Sequence, residues 1–513
     1  MDPEPSEERD GGFAMKKIIV SIIEDRIGRR VIIGCARILL FVTFFLVPYG
    51  IVNTGMAATY YIDYQNGSDL NSGKTKTAAW KYCPGMASFT GNYAHSAGDK
   101  FIFKGGVTWP SFAFPLVIAY GGSAGLVDEY TVDTGWFAGS NWERPIFDGG
   151  GDKNRIVRAR QKSYFKIENI EIRNVKLPNQ QNDYVAMELA DCGNFEISNL
   201  RLKPYAWIGL YAYATSPKAN YRIHHNDVSD CGEGIRIATS EANATIDNVE
   251  INHNDFHDFH SQLVGIVHGD GIHTYTSPGS DSTQYISNMR IHGNRFYGNW
   301  APQPPCTGST GFIYLEDGNK GAMIYNNVMY YDGVPTSQNW FQAPITVAGN
   351  ATVPGNGRHK IYNNTIRGTS PGMSACLYVH GSDYVDVKNN IFSGCKYAYD
   401  FEQGTLNSTI DYNDAYSSDV SYVGKWNGEF KSWSAWRSLG LDLHGLRQNP
   451  LFIHSNNLGI QSTSPCCGVG IDLSSYFTSD LVGKPRVVPW DLGAYNHTSQ
   501  IVEPPRYLRV VME

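Results

Sequence analysis

Ile223-His224-His225-Asn226, Ile251-Asn252-His253-Asn254 and Ile291-His292-Gly293-Asn294 are the same short phrase met three times. It returns as Ile324-Tyr325-Asn326-Asn327, Ile361-Tyr362-Asn363-Asn364, Val387-Lys388-Asn389-Asn390 and Ile410-Asp411-Tyr412-Asn413. The spacing wanders between roughly 23 and 40 residues, the range of solenoid and propeller repeats. A constant strand and turn with a variable remainder describes a coil carrying loops of different sizes. Alternation puts the Ile and Val side chains into a core and the intervening polar residues outward. The Asn suits a turn, since it tolerates the left-handed backbone region and bonds local backbone. Stacked coil upon coil, such residues can form a ladder of amide hydrogen bonds. Hairpins of a sandwich would instead favour Asn-Gly or Asp-Gly between strands, and these are scattered here.

A second strand precedes each phrase. Met187-Glu188-Leu189, Leu210-Tyr211-Ala212, Ile235-Arg236-Ile237 and Ile272-His273-Thr274 align, followed by Ile313-Tyr314-Leu315, Ile345-Thr346-Val347, Leu377-Tyr378-Val379 and Tyr399-Asp400-Phe401. The flanking residues stack inward. The middle ones form an outward column of Glu, Tyr, Arg, His, Tyr, Thr, Tyr and Asp. Two residues on, Tyr213, Tyr275, Glu316, His380 and Glu402 belong to a second column.

On these repeats the chain resembles the secreted right-handed parallel β-helix proteins of the pectate-lyase-like superfamily. Tyr60-Tyr61-Ile62-Asp63 with Asn66-Gly67-Ser68-Asp69 is similar to their opening strand and turn. Asn449-Pro450-Leu451-Phe452 through Asp491-Leu492-Gly493-Ala494-Tyr495 resembles their last coils. The resemblance implies an all-β, single-stranded right-handed parallel β-helix over residues 59–496, clearest over 164–415, and action on a polysaccharide or other glycan. It does not choose a reaction, because one fold hosts many chemistries. Related polygalacturonases carry Gly-His-Gly and Arg-Ile-Lys, whereas this chain has Arg222-Ile223-His224 and Arg290-Ile291-His292, and the Trp-x-Asp-His pattern of pectate lyases is absent. No family catalytic residue is therefore carried over.

Composition fits one large β domain: of 513 residues only 18% are charged, with 53 Gly and 32 Tyr. A net charge of −7 provides no basic footprint for nucleic acid. Residues 1–58 read as a leader. Arg29, Arg30 and Arg37 precede an apolar run at 38–52, about 15 residues long and nearer a signal-peptide core than a bilayer span. Small residues at Ala57 and Ala58 offer cleavage before Thr59. The expectation is a secreted or cell-envelope protein, touching a membrane only through an uncleaved leader. Cys192 with Cys231, or Cys376 with Cys395, are candidate disulfides. Residues 422–446, with Trp426, Trp433 and Trp436, read as an insertion, and 497–513 as a tail.

Chemistry concentrates at His268-Gly269-Asp270-Gly271-Ile272-His273. Strands lie about 4.8 Å apart, so Arg236, His273 and Tyr314 fall beside one another on successive coils, with Asp270 and Glu316 at the edges. Arg236, Asp270, His273 and Glu316 are the catalytic candidates. In a lyase, Arg236 neutralises a uronate and His273 or Tyr314 takes the α-proton; in a hydrolase, Asp270 and Glu316 are acid and base. Tyr211, Tyr213, Tyr275, Tyr314, Tyr378 and His268 are the candidates for holding sugar, an exposed tyrosine row suiting sugar rings. Calcium on Asp270, Glu316 or Asp317 is compatible with their oxygen donors; no cofactor is otherwise indicated. The rival reading is a non-catalytic adhesin or envelope protein binding glycan through the same face.

Overall fold

The computed structural model describes residues 56–176, 184–259, 269–276, 283–298, 300, 311–331, 343–349, 357–368, 374–382, 384–402 and 407–498. The apolar run of the leader, His268, Cys306 and the end of the tail lie outside them. Among the described residues no helix is long and apolar enough to cross a membrane.

Each turn of the chain visits three sheets in the same order. Ile208–Ala214 lies on the first, Lys218–His224 on the second and Asp227–Ser229 on the third, before Glu233–Thr239 returns to the first. Among the described residues, pairing between coils is parallel, and the three sheets hold 12, 13 and 11 strands. The result is a right-handed parallel β-helix, the hand that parallel crossovers take. The first sheet carries both outward columns and is called the groove sheet below. Its register is that expected from the repeats: Glu188 pairs with Tyr211, Tyr211 with Arg236, Arg236 with His273, and His273 with Tyr314. The column continues through Thr346, Tyr378 and Asp400.

The asparagine phrase splits its two tasks between adjacent residues. The left-handed position is the one before the last Asn: His225, His253, Asn326, Asn363, Asn389 and Tyr412 all have φ between 48° and 60° there, and Gly293 has 66°. Asn and His are among the non-glycine residues that accept this region. The final Asn is the ladder. Asn226 Nδ2 donates to Asn254 Oδ1 at 2.9 Å, Asn254 to Asn294 at 2.9 Å and Asn294 to Asn327 at 3.1 Å. Asn327, Asn364, Asn390 and Asn413 continue it. Every member also donates to a carbonyl of the coil behind, as Asn254 does to Ile223 at 3.0 Å. The last donor, Asn413, ends on the carboxylate of buried Asp442 at 3.0 Å.

Two stretches differ from expectation. Residues 422–446, expected as a helical or looped insertion, carry a helix together with one more parallel strand of the groove sheet, and they cap this end of the coil. Gly424–Trp426 pairs in parallel with Tyr397–Phe401, and Trp433–Ser438 is a helix whose Trp436 is fully buried against Tyr399, rings 4.8 Å apart. The three tryptophans are there because a solenoid end exposes core that must be covered. The closing stretch adds no coils. Its strands Phe452–His454 and Asn457–Ile460 pair only with each other, antiparallel. It folds back along the turns, where Asn326, Asn363 and Asn389 hold it: Asn326 Nδ2 reaches Ser479 O at 2.9 Å, Asn363 reaches Gly493 O at 3.0 Å, and Asn389 reaches Ile471 O at 2.8 Å. The Asn-Asn pairs in these three coils are thus one strap holder beside one ladder member.

Cys376 and Cys395 form a disulfide. Cys192 and Cys231 are free and buried. Cys192 sits where the groove sheet turns into the second sheet and Cys231 where the third returns to the groove sheet, so they occupy different corners of the coil.

Removing one ladder amide strands donors and acceptors in the core, where each unpaired group costs about 1–3 kcal/mol. Asn254→Ala should therefore lower unfolding free energy by about 2–4 kcal/mol in urea titrations. His253→Asn, one residue earlier and exposed, should stay within about 0.5 kcal/mol. Equal losses in both variants would refute the division of labour.

Candidate active site

Two consecutive coils carry the same local pattern, an acid, a glycine, an isoleucine and a base: Glu233-Gly234-Ile235-Arg236 and Asp270-Gly271-Ile272-His273. The glycines let the coils close up. A Cβ at Gly234 would lie 2.5 Å from Gly271 O, and one at Gly271 would lie 2.7 Å from Phe312 O. The acids fall at the strand entry and the bases on the outward column, and register sets the two pairs side by side.

Glu233 is fully buried and takes Arg236 with both oxygens, Nε to Oε2 at 2.6 Å and Nη2 to Oε1. The guanidinium lies over Trp207 at 5.0 Å and Tyr211 at 5.7 Å. Nδ1 of His273 is 3.5 Å from Glu233 Oε2 and 3.3 Å from Asp270 Oδ2, while Nε2 is 2.9 Å from Glu316 Oε2. Asp270, 0% exposed, also accepts from Gly311 N at 2.8 Å. The imidazole stacks on Tyr314 at 5.0 Å and meets Tyr275 edge-on at 6.5 Å. Of the carboxylates, Glu316 reaches the surface, with 28% of its side chain exposed.

This geometry sets the protonation states. Burial would strip the proton from His273, but Glu233, Glu316 and Asp270 reverse that and raise its pKa from 6.5 to about 10. Burial also works against ionised Glu233, yet Arg236 and then His273 hold its pKa low. Asp270 goes the other way: burial raises it, His273 only partly opposes, and Glu233 adds to the rise. Asp317, at the strand end, is raised by burial and then by Glu316. Tyr314 is pushed above the usual phenol range by burial, then by Glu316 and Asp270.

Arg236, Asp270, His273 and Glu316 thus come together, with Tyr314 and Tyr275 against the imidazole. Tyr211 borders Arg236. Tyr213 turns toward Glu188, its hydroxyl 3.4 Å from Oε1. Tyr378 lies two coils beyond Tyr314, beside His380. Glu233 and Trp207 are the partners that the sequence reading left off the site. The repeated acid-Gly-Ile-base pattern is the signal that marks Glu233; Trp207 has none. Glu233, Asp270 and His273 offer donor atoms within 4.8 Å of one another. Arg236 already occupies both oxygens of Glu233 and the third donor is a nitrogen, so this set does not suit calcium, which takes six to eight oxygens.

The chain matches no protein-family model and no curated protein. Among solved structures it is similar to a GH136 lacto-N-biosidase from Eubacterium ramulus, at 10% identity over 68% of this chain and 65% of that one, TM-score 0.39. It is also similar to pectate lyase Pel9A, at 13% identity over 86% and 98% of the two chains, TM-score 0.37. A rhamnogalacturonan lyase aligns at 13% identity over 75% and 99%, TM-score 0.31. The chain thus spans just under two thirds of the lacto-N-biosidase.

A histidine whose pKa is raised on folding stabilises fully below its unfolded value of 6.5 and loses that contribution as pH climbs through about 10. Asp270, also raised, acts with the same sign. Urea stability should therefore fall between pH 6.5 and 10, and His273→Gln should flatten the slope; an unchanged slope would contradict the assignment. Glu233→Gln leaves the half-buried Arg236 without its counter-charge, and a loss of about 3 kcal/mol is expected in the same titration.

Proposed function

We propose that this chain is an exported glycan hydrolase working on the groove sheet with carboxylate acid/base chemistry. One observation carries the choice: Glu316, 28% exposed, is bonded to a His273 whose pKa the surrounding carboxylates raise against the effect of burial. An imidazolium with both nitrogens facing carboxylates takes up no proton, so His273 does not serve as the base of a lyase. Arg236, bound through two nitrogens to Glu233, has its charge compensated already and does not answer a uronate as a lyase requires. What remains is a pair of neighbouring carboxyl groups in different surroundings: Glu316 is bonded to His273, and Asp317 is raised by burial and then by Glu316. Differing surroundings of this kind assign acid and base. In this reading Glu316 activates water or attacks the anomeric carbon, and Asp317 protonates the leaving oxygen. Asp270, the acid expected from sequence, lies behind His273 and fixes it in place. Tyr211, Tyr275, Tyr314 and Tyr378 provide ring faces along the groove. Export is supported by the apolar run at 38–52 and by the Cys376–Cys395 disulfide, which belongs to oxidising compartments.

The full burial of Glu233 and Asp270 favours a second reading, a structural ion cluster in a non-catalytic glycan-binding surface protein. The two separate in a screen of neutral and uronate-containing polysaccharides, following new reducing ends and unsaturated uronate ends. The hydrolase should release reducing ends alone, and Glu316→Gln and Asp317→Asn should each slow release by about 100-fold or more. Unsaturated ends would overturn it in favour of a lyase. Binding without any cleavage would establish the second reading.

A further inference from the structure

Upstream on the groove sheet, three arginines converge on one acid. Arg155, Arg158 and Arg160 stand just before or on the strand Val157–Arg160, and Glu188 lies on the next coil in register with Arg158. Nε of Arg155 is 2.6 Å from Glu188 Oε2, Nε of Arg158 is 3.3 Å from the same oxygen, and Nη2 of Arg160 is 2.7 Å from Oε1. Among the described residues these arginines form ion pairs with no other carboxylate. Three guanidinium charges against one carboxylate leave two uncompensated. Arginine does not discharge at any ordinary pH, so the excess is permanent.

The balance is unusual for a structural cluster. Glu188 is 3% exposed, while the side chains of Arg155, Arg158 and Arg160 are 30, 39 and 52% exposed. One buried carboxylate thus holds three half-open guanidiniums in place. Each presents further N–H donors beyond those turned to Glu188, in the planar arrangement that matches carboxylate and sulfate oxygens. Tyr213 reaches the same Glu188 oxygen and Tyr211 packs on it at 5.0 Å, so aromatic faces adjoin the charge. The column runs Arg158, Glu188, Tyr211, Arg236, which at about 4.8 Å per coil puts the patch about 14 Å from the candidate active site along the same face.

We infer that Arg155, Arg158 and Arg160 form an anion subsite that binds the carboxylate or sulfate groups of an acidic glycan lying along the groove sheet. The inference rests on the reading of this sheet as a glycan-binding face, and not on cleavage. The substrate then carries its charge at a distance from the scissile bond. There the charge contributes affinity and register, while a compensated Arg236 leaves the reacting sugar free to be neutral.

The test is binding of the full chain to polygalacturonate, dextran sulfate and neutral dextran, measured by titration calorimetry at low and high salt. Arg160→Gln is the principal variant, because Arg155 and Arg158 still cover Glu188 and the fold is retained; Arg158→Gln with Arg160→Gln is the stronger one. Arg222→Gln, at an exposed arginine on another sheet, is the control. Arg160→Gln should weaken binding of at least one polyanion about tenfold and make it less salt-dependent, with dextran binding and the melting temperature unchanged. Loss confined to polygalacturonate identifies uronate carboxylates as the ligand, and loss confined to dextran sulfate identifies sulfate esters. Both polyanions bound as tightly by the double variant as by wild type, or weakened equally by Arg222→Gln, would overturn the inference. A Glu316→Gln protein that cleaves normally would sink the hydrolase while leaving this result intact.

Discussion

A file of buried side-chain amides from Asn226 to Asn413 decides which residue of each coil lies over which residue of the next. Each amide donates to its neighbour along the axis and to a carbonyl behind it, so a coil slipped by one residue would break several bonds at once in a place water does not reach. A one-residue slip would also turn every outward side chain into the core. The groove sheet inherits its order from that constraint. Arg236 stands beside His273, and His273 beside Tyr314, because the turns on the far side of the coil cannot shift. The acid that terminates the ladder, Asp442, shows the cost of burial directly: desolvation lifts its pKa to about 6 against the hydrogen bonds of Asn413, Tyr399 and Trp436.

The same register turns local sequence into electrostatics. Glu233 and Asp270 occupy equivalent places on adjacent coils, and burial raises both, yet Arg236 and His273 hold Glu233 low while Asp270 stays raised. Arg236 is bidentate on Glu233, whereas Asp270 faces an imidazole that also meets Glu233 and Glu316, with Arg236 acting on it only at longer range. Farther up the sheet the proportions invert, with three arginines around one glutamate. The outward face is therefore graded from net positive, through a compensated ion cluster, to the half-buried carboxyl groups of Glu316 and Asp317. On the proposed reading, a long ligand laid along it meets charge recognition and bond chemistry at different coils.

What could be read in the sequence was whatever repeats. The Ile-x-x-Asn phrase named the ladder, and period-two alternation named the outward column residue by residue, from Glu188 to Asp400. Features that occur once were misread or missed. Trp426, Trp433 and Trp436 break the pattern because they cap an end, and a cap has no second copy to compare. The closing stretch looks like strands but is a strap, since its partners are turn asparagines rather than a neighbouring coil. Arg155, Arg158 and Arg160 lie upstream of the clear repeats, and their shared acid is on another coil, so composition alone does not join them. Even within the phrase, the left-handed residue and the ladder residue are neighbours, and only backbone angles separate His225 from Asn226. Protonation was out of reach for a similar reason: His273 looks like a base in one dimension and stands among three carboxyl groups that raise its pKa in three.

The proposal of hydrolysis rather than elimination depends on a protonated His273. The most direct measurement is nitrogen-15 NMR of the intact chain with labelled histidine, following the His273 ring across neutral to alkaline pH, with His273→Gln for assignment. Both ring nitrogens should be protonated at neutral pH, with a transition near 10. A neutral ring at pH 7, with one nitrogen free to accept a proton, would contradict it and restore His273 as a base.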